Sequence, residues 1–388
     1  MNRKRASYPG YFHLDPRMMP VVWLMLFPSL VSAQGAVFGL KNQVTGQATV
    51  NIENPLPYQF GLRFIPTMDL SGEFRKERKL DAELAIHGYG NLLFTGSEFD
   101  KTEYDLGLYR FWIRYSTPRL EIRAGLQKIS FGSATIFRPL MWFDKLDFRD
   151  PLQLTEGVYG LLGRYYFQGN VNIWLWGLYG NTGTKGWEVA PTTSNKPEFG
   201  GRIQAPLFTG EIAVSYHHRN GDFTDFYQAL PTVDSPYYNQ DCIGLDGKWD
   251  LGAGIWFEYV LKHNDKENVL FEEFEHYINV GSDYTFSMGN GLNLTAEYFR
   301  FQGMEENNYV ALAANYPFGM MNRVVAAVYY EWEEKAWYRF ISLQREYDFW
   351  SFYLIGFWNP DEVPISTDGE GRYLFAGSGI QFMATVNF

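Results

Sequence analysis

From about residue 40 onward, apolar and polar side chains alternate with a period of two, the signature of strands with one face in an apolar environment. RLEIRAGLQK, residues 119–128, places Leu120, Ile122, Ala124 and Leu126 on one face and Arg119, Glu121, Arg123, Gly125 and Gln127 on the other. NVNIWLWGLYG sets Val171, Ile173, Leu175 and Tyr179 against Asn172, Trp174 and Trp176, and IWFEYVLK and NLTAEYF repeat the design. Each alternating segment runs for roughly ten residues, the length of a tilted strand that crosses a bilayer.

The connections alternate too. Tight turns fall at Ser116-Thr117-Pro118, Gln168-Gly169-Asn170, Phe208-Thr209-Gly210, Asp250-Leu251-Gly252, Met288-Gly289-Asn290, Pro317-Phe318-Gly319 and Tyr347-Asp348. Longer polar links lie between them, around 96–101, 129–156, 181–195, 220–240, 264–272, 302–306 and 359–373. Short turns at one end and long loops at the other describe an all-β, transmembrane, antiparallel up-and-down β-barrel with its short turns in the periplasm. The expected count is about eighteen strands, with sixteen as the alternative, and an even number brings both ends to the periplasmic side. A soluble β-sandwich or propeller also gives short strands with glycine-rich turns. Against it stand aromatic clusters at strand ends, Tyr165-Tyr166-Phe167 and Phe349-Trp350, where an interfacial girdle places amphipathic rings.

Composition narrows the classes. Aromatic residues make up 18% of the chain and charged residues only 20%, with 38 glycines, an odd mixture for a soluble secreted protein. The single cysteine, Cys242, excludes an intramolecular disulfide framework. A net charge of −11 argues against nucleic acid as a partner, because that binding needs basic surface. No nucleotide-binding loop, zinc-ligand cluster or nucleophile-elbow motif is present, so no metal or cofactor is expected. At the N-terminus, Arg3, Lys4 and Arg5 precede the apolar run VVWLMLFPSLV and the triplet Val31-Ser32-Ala33, which reads as a secretory signal over 1–33 with cleavage before Gln34. A start at Met18 or Met19 would make that signal more compact. The remaining 388 − 33 = 355 residues, 34–388, form one barrel domain and contain no second apolar run long enough for a membrane helix.

The chain ends in ATVNF, with Phe382, Ala384, Val386 and Phe388 on one face. This ending resembles the assembly signal of bacterial outer-membrane β-barrels. The resemblance implies the outer membrane as location, its lipids and lipopolysaccharide as surroundings, and the barrel-assembly machinery as a partner. The physical reading is compatible, since a closing strand must be paired on both edges in hydrocarbon.

If the apolar face meets lipid, the other face lines a lumen. Arg110 and Arg114 lie on one such row and Arg119, Glu121 and Arg123 on the next, with Arg164 on the strand after. Parity at the intervening turn allows Glu121 to face either Arg114 or Trp112. In both registers the local excess is positive. Directly after Arg123 comes GLQKISFGSATIFRPLMWFDKLDFRDPLQLTEG, in which Arg138, Asp144, Lys145, Asp147, Arg149 and Asp150 stand among Phe131, Phe137, Trp142, Phe143 and Phe148. So long a connection is usually functional or disordered, and so many rings fit disorder poorly. The expectation is that 129–156 folds inward, rings on the wall and carboxylates toward the arginine rows, as a charged constriction that selects small hydrophilic solutes. The bland reading is a brace or plug of internal salt bridges.

The order GLQKISFG, a loop with RP, WFD and DFRDP, then GVYG, is similar to monomeric outer-membrane channels of the alginate-export and porin-like type. The resemblance covers some fifty residues and implies an eighteen-stranded pore whose basic lumen suits an anionic or carbohydrate solute. The loop carboxylates depart from a purely basic lining. Two other readings stand beside the channel: a structural or assembly subunit with a closed lumen, and an outer-membrane hydrolase. Ser215 and His217 share a strand face, but at about 7 Å along the strand they cannot pair directly. His217, His218, His263 and His276, with Glu272, Glu273 and Glu275, lack metal-ligand spacing and read as solvated rim residues. A first strand within roughly ten residues of the cleavage point leaves no room for a plug domain.

Overall fold

Eighteen strands follow one another, each hydrogen-bonded antiparallel to its neighbours in sequence. The computed structural model describes residues 36–388 except 52, 54–55, 96–97, 225–235, 266–271, 305 and 361–374, so the expected signal over 1–33 lies outside the described residues. The strands are β1 (Ala36–Asn51), β2 (Tyr58–Arg75), β3 (Arg78–Thr95), β4 (Glu98–Ser116), β5 (Leu120–Gln127), β6 (Val158–Tyr166), β7 (Asn172–Leu178), β8 (Glu198–Leu207) and β9 (Gly210–Asp222). They continue with β10 (Tyr237–Asp250), β11 (Gly254–Asn264), β12 (Phe274–Phe286), β13 (Leu292–Gln302), β14 (Glu306–Phe318), β15 (Asn322–Glu331), β16 (Ala336–Glu346), β17 (Trp350–Trp358) and β18 (Ser378–Asn387). β1 pairs with both β2 and β18, from Gln43↔Asn387 to Asn51↔Gly379, and closes the sheet on itself. No edge is left open, as backbone in hydrocarbon requires.

The expected eighteen strands and up-and-down order are what the molecule has. Along β8 and β9 the outward side chains Phe199, Ile203, Val214 and Tyr216 are exposed, and the inward ones, Glu198, Arg202, Ser215, His217 and Arg219, are buried. That is the inverse of a soluble protein, with apolar groups out and charges in, as a barrel in lipid needs. Among the described residues no helix is long and apolar enough to cross a membrane.

Three expected features differ. The polar stretches at 96–101 and 302–306 are short rather than long links: Thr95 pairs with Glu98 and Gln302 with Glu306, so the polar residues 98–101 belong to β4. Neither expected register joins β4 to β5. Glu121 faces Ser116, and Arg123 faces Arg114. The cause is a tighter turn, in which Thr117 N–H bonds the Leu120 carbonyl and Thr117 Oγ1 accepts from Arg119 and Leu120 N–H. Arg119 is consequently an exposed turn residue rather than a member of the lumen row.

Candidate functional site in the barrel lumen

The connection from β5 to β6, residues 128–157, contributes Ile129, Phe131, Phe137, Leu140, Trp142 and Phe143 to an apolar cluster shared with inward side chains of β6, β7 and β10–β16. Phe137 stacks on Phe299 at 5.4 Å between ring centroids and meets Tyr309 and Tyr329. Phe131 stacks on Trp176 at 5.6 Å, and Phe143 sets its edge on His217 at 4.9 Å.

Two wall glutamates hold its backbone. Glu258 Oε1 accepts from Ser133 and Ala134 N–H at 2.5 and 2.7 Å, and its Oε2 from Leu140 N–H at 3.1 Å. Glu297 Oε1 accepts from Thr135 N–H, Thr135 Oγ1 and Ile136 N–H, while Oε2 accepts from Phe137 N–H at 2.8 Å and Asn279 Nδ2 at 3.0 Å. Successive N–H groups turned toward one side make a concave anion seat, here filled by side chains of the wall. Gly132 permits the approach: its φ is +98, and a Cβ there would lie 2.4 Å from Glu258 Oε1.

The loop carboxylates do not reach the arginine rows. Asp144 pairs with Arg138 at 3.2 Å, and Arg138 also donates to Ser130 Oγ. Asp147 takes a two-pronged contact from Arg149, whose guanidinium lies 4.9 Å over Phe375. Burial opposes that charge, but Asp147 more than offsets it and holds the Arg149 pKa above its usual value. Asp150 accepts from Leu152 and Leu154 N–H; burial still raises its pKa, against those bonds and the nearby charge of Arg63. Lys145 reaches Thr184 Oγ1 at 3.3 Å, and burial lowers the pKa of Lys128. The reason for the mismatch is height. Arg114, Glu121 and Arg123 sit near the short-turn end of β4 and β5, whereas the loop leaves β5 at the opposite end, beyond Gln127. Only Arg110 is level with it, donating to the Thr155 carbonyl at 2.7 Å.

The arginines instead form their own cluster. Glu121 is shared by Arg123 at 3.1 Å, Arg164 at 3.6 Å and Arg114 at 3.9 Å, and Arg114 also binds Asp81 at 2.9 Å. Arg164 lies 3.8 Å over Trp174 and Arg123 4.7 Å over Trp112, contacts that favour a desolvated cation. Three guanidiniums and two carboxylates leave the cluster positive.

A second inward connection was not foreseen. The β7–β8 link, expected as a polar loop over 181–195, sends Lys185 to Glu198 at 3.2 Å and Glu188 to Arg219 at 3.4 Å, and its Trp187 stacks on Phe299 at 5.6 Å. Trp187 Nε1 donates to the Arg138 carbonyl at 2.8 Å, tying the two loops together. Where they cross, Gly186 has φ +44, and a Cβ would fall 1.7 Å from the Met141 carbonyl oxygen. His217, read as a rim residue, is buried here between Glu198 at 3.2 Å and Trp176, because it is on the inward face of β9. Among the described residues no group of His, Cys, Asp and Glu is arranged to hold a metal ion.

The two loops cover one side. Their hydrogen bonds, ion pairs and ring contacts fall on β4, β6–β9 and β11–β15, Leu152 packs on the apolar cluster of β16–β18, and among the described residues none of these contacts reaches β1–β3. The inward face there stays polar, with Gln43, Gln47, Arg63, Asp69, Asp81 and Glu83. Below the loops, toward the short turns, a cavity of about 820 Å³ opens among Tyr166, Asn172, Glu211, Lys248, Asp250 and Asp283. Phe382 on β18 and Phe388 just past its end are exposed, with Ala384 and Val386 between them.

A closed, antiparallel, eighteen-stranded barrel with an apolar outside and a charged inside is a transmembrane barrel of the outer-membrane porin fold. Solved structures share it. Pseudomonas aeruginosa OccK5 (OpdH) superposes with a TM-score of 0.55 at 10% identity, over 92% of this chain and 98% of that one. Acinetobacter baumannii OccAB3 does so at 0.53 and 8%, over 91% and 99%. Salmonella typhi OmpF, solved with daunomycin, gives 0.51 and 11%, over 91% and 98%. No protein-family model matches the chain, and no curated protein matches it in sequence.

Proposed function

We propose that the protein is a passive outer-membrane channel for small hydrophilic solutes, anionic or carbohydrate, whose path runs between the β5–β6 loop and the polar wall of β1–β5. The observation that carries this reading is the one-sided packing of the loops. Rings and backbone amides are satisfied against β7–β16, Leu152 packs on β16–β18, and the wall of β1–β3 keeps its charges. In this reading the loop narrows the lumen, and Arg114, Arg123 and Arg164, sharing Glu121, lie below it as a positive stretch that a solute crosses next. Fixed charge beside a narrowed path sets ion preference.

Single-channel recording of the purified barrel in a planar bilayer under a salt gradient tests it. Discrete conductance steps with anion preference are expected, and Arg114→Ala with Arg123→Ala should move the reversal potential toward cations. A folded preparation, shown by heat-modifiable gel mobility, that gives no steps would end the channel reading. An unmoved reversal potential would remove the arginines from the path.

A further inference from the structure

The short-turn rim has two different sectors. The turns after β6, β8, β10, β12, β14 and β16 each expose a large apolar side chain, Phe208 and Met320 almost completely. The turns after β2 and β4 carry Arg75, Lys76, Arg78, Lys79 and Arg119, all exposed, in a chain whose net charge is −11. The β2–β3 hairpin also projects. The last hydrogen bonds on that side join Phe388 to Asn42, so Ala36–Lys41 pair with β2 alone, and β2 and β3 continue past Ala36↔Gly72 to Arg75↔Arg78.

The outward face of this projection stays apolar. Phe38, Leu70, Phe74 and Leu80 are exposed on it, and the Phe74 ring lies 6.1 Å from Tyr115 of β4. An apolar face in continuity with the lipid-facing band would not be kept on a hairpin standing in water. It reaches Phe74, and the cations begin at the next residue. Long cationic side chains directly beyond an apolar surface mark the level where hydrocarbon gives way to headgroups. Of the two acids in the tip, Glu73 accepts the Glu77 N–H at 2.9 Å and so serves the turn. The turn of Arg119 stands beside the hairpin, since Lys79 pairs with Ser116.

We propose that the β2–β3 tip, with Arg119 beside it, is a docking site for the phosphate of an anionic phospholipid in the periplasmic leaflet, with Phe74 and Leu80 against its acyl chains. Phosphatidylglycerol is the probe. The full-length barrel is equilibrated in mixed micelles of phosphatidylglycerol and phosphatidylcholine, and retained lipid is counted by native mass spectrometry. Each cation near a headgroup contributes about a fivefold preference, so wild type should retain phosphatidylglycerol at least about fivefold over phosphatidylcholine. The variant Lys76→Gln, Arg78→Gln, Lys79→Gln should lower the preference about fivefold or more, while Arg123→Gln, inside the lumen, should keep it. If the triple variant does not fold, Lys76→Glu at the turn tip should lower the preference about fivefold or more. Equal retention of both lipids by wild type, or a preference undiminished by the rim substitutions, overturns the proposal.

Discussion

Glu258 and Glu297 position the loop, yet nothing in the sequence singles them out. Each is one polar residue in an alternating strand. What marks them is their cross-strand surroundings: Glu258 faces Asp246 and Asn279, and Glu297 faces Gly281 and Ala311, so neither has a cation directly opposite. Asp246 is already bound by Arg202 at 2.6 Å. A buried carboxylate without a cation needs donors, and the loop backbone supplies them. Reading that from sequence would have required the four registers that join β10 to β14. Glu297→Gln keeps the shape but replaces a charge that serves five donors with a single acceptor oxygen. The loss should be about 2–3 kcal/mol, seen as a lower midpoint of heat-modifiable mobility and as added fluctuation in open-channel current. Asp150 gives a pH signature. Its pKa is raised in the folded state, so its stabilising neutral form is fully present below the unfolded carboxylate range and is lost as pH rises through the raised value. The midpoint of Asp150→Asn relative to wild type should therefore move in the variant's favour between acidic and neutral pH; a difference that does not vary with pH would contradict the assignment.

At the level of elements, the β5–β6 connection was legible because its rings and length fit neither a turn nor a disordered link. The β7–β8 connection was not. Its stretch Thr182–Lys196 is rich in Gly, Thr, Ser and Pro, and its inward hold rests on Lys185, Trp187 and Glu188, three residues that periodicity cannot place. Arg119 dropped out of its row because one tight turn decides the register of β4 against β5, and the loop carboxylates miss Arg114 and Arg123 because these lie at the short-turn end of their strands. Deleting 133–150 should raise single-channel conductance, whereas a deletion that leaves the current unaltered would put the loop outside the path. Trp187→Ala removes a stacking contact and the bond to the Arg138 carbonyl. It should give brief high-conductance excursions rather than a uniformly wider channel, because Glu258 and Glu297 still hold the other end.

For the molecule as a whole, alternation and the short-turn and long-loop rhythm were enough for the barrel and its strand number. Curvature, stagger and the sidedness of the lumen were not, since they arise only when all eighteen strands are placed together. The junction of β1 with β18 has its own consequence. Thr45 and Thr385 share a hydrogen bond at 3.0 Å across 340 positions of chain. Contacts between such distant residues form late and slowly, because the entropy of closing so long a segment comes before any reward. Both inward loops must then find their seats while the sheet is still an open, curling ribbon. The barrel is a vessel packed before it is sealed, and the order of assembly, more than the affinity of any one contact, decides whether its interior is correctly furnished.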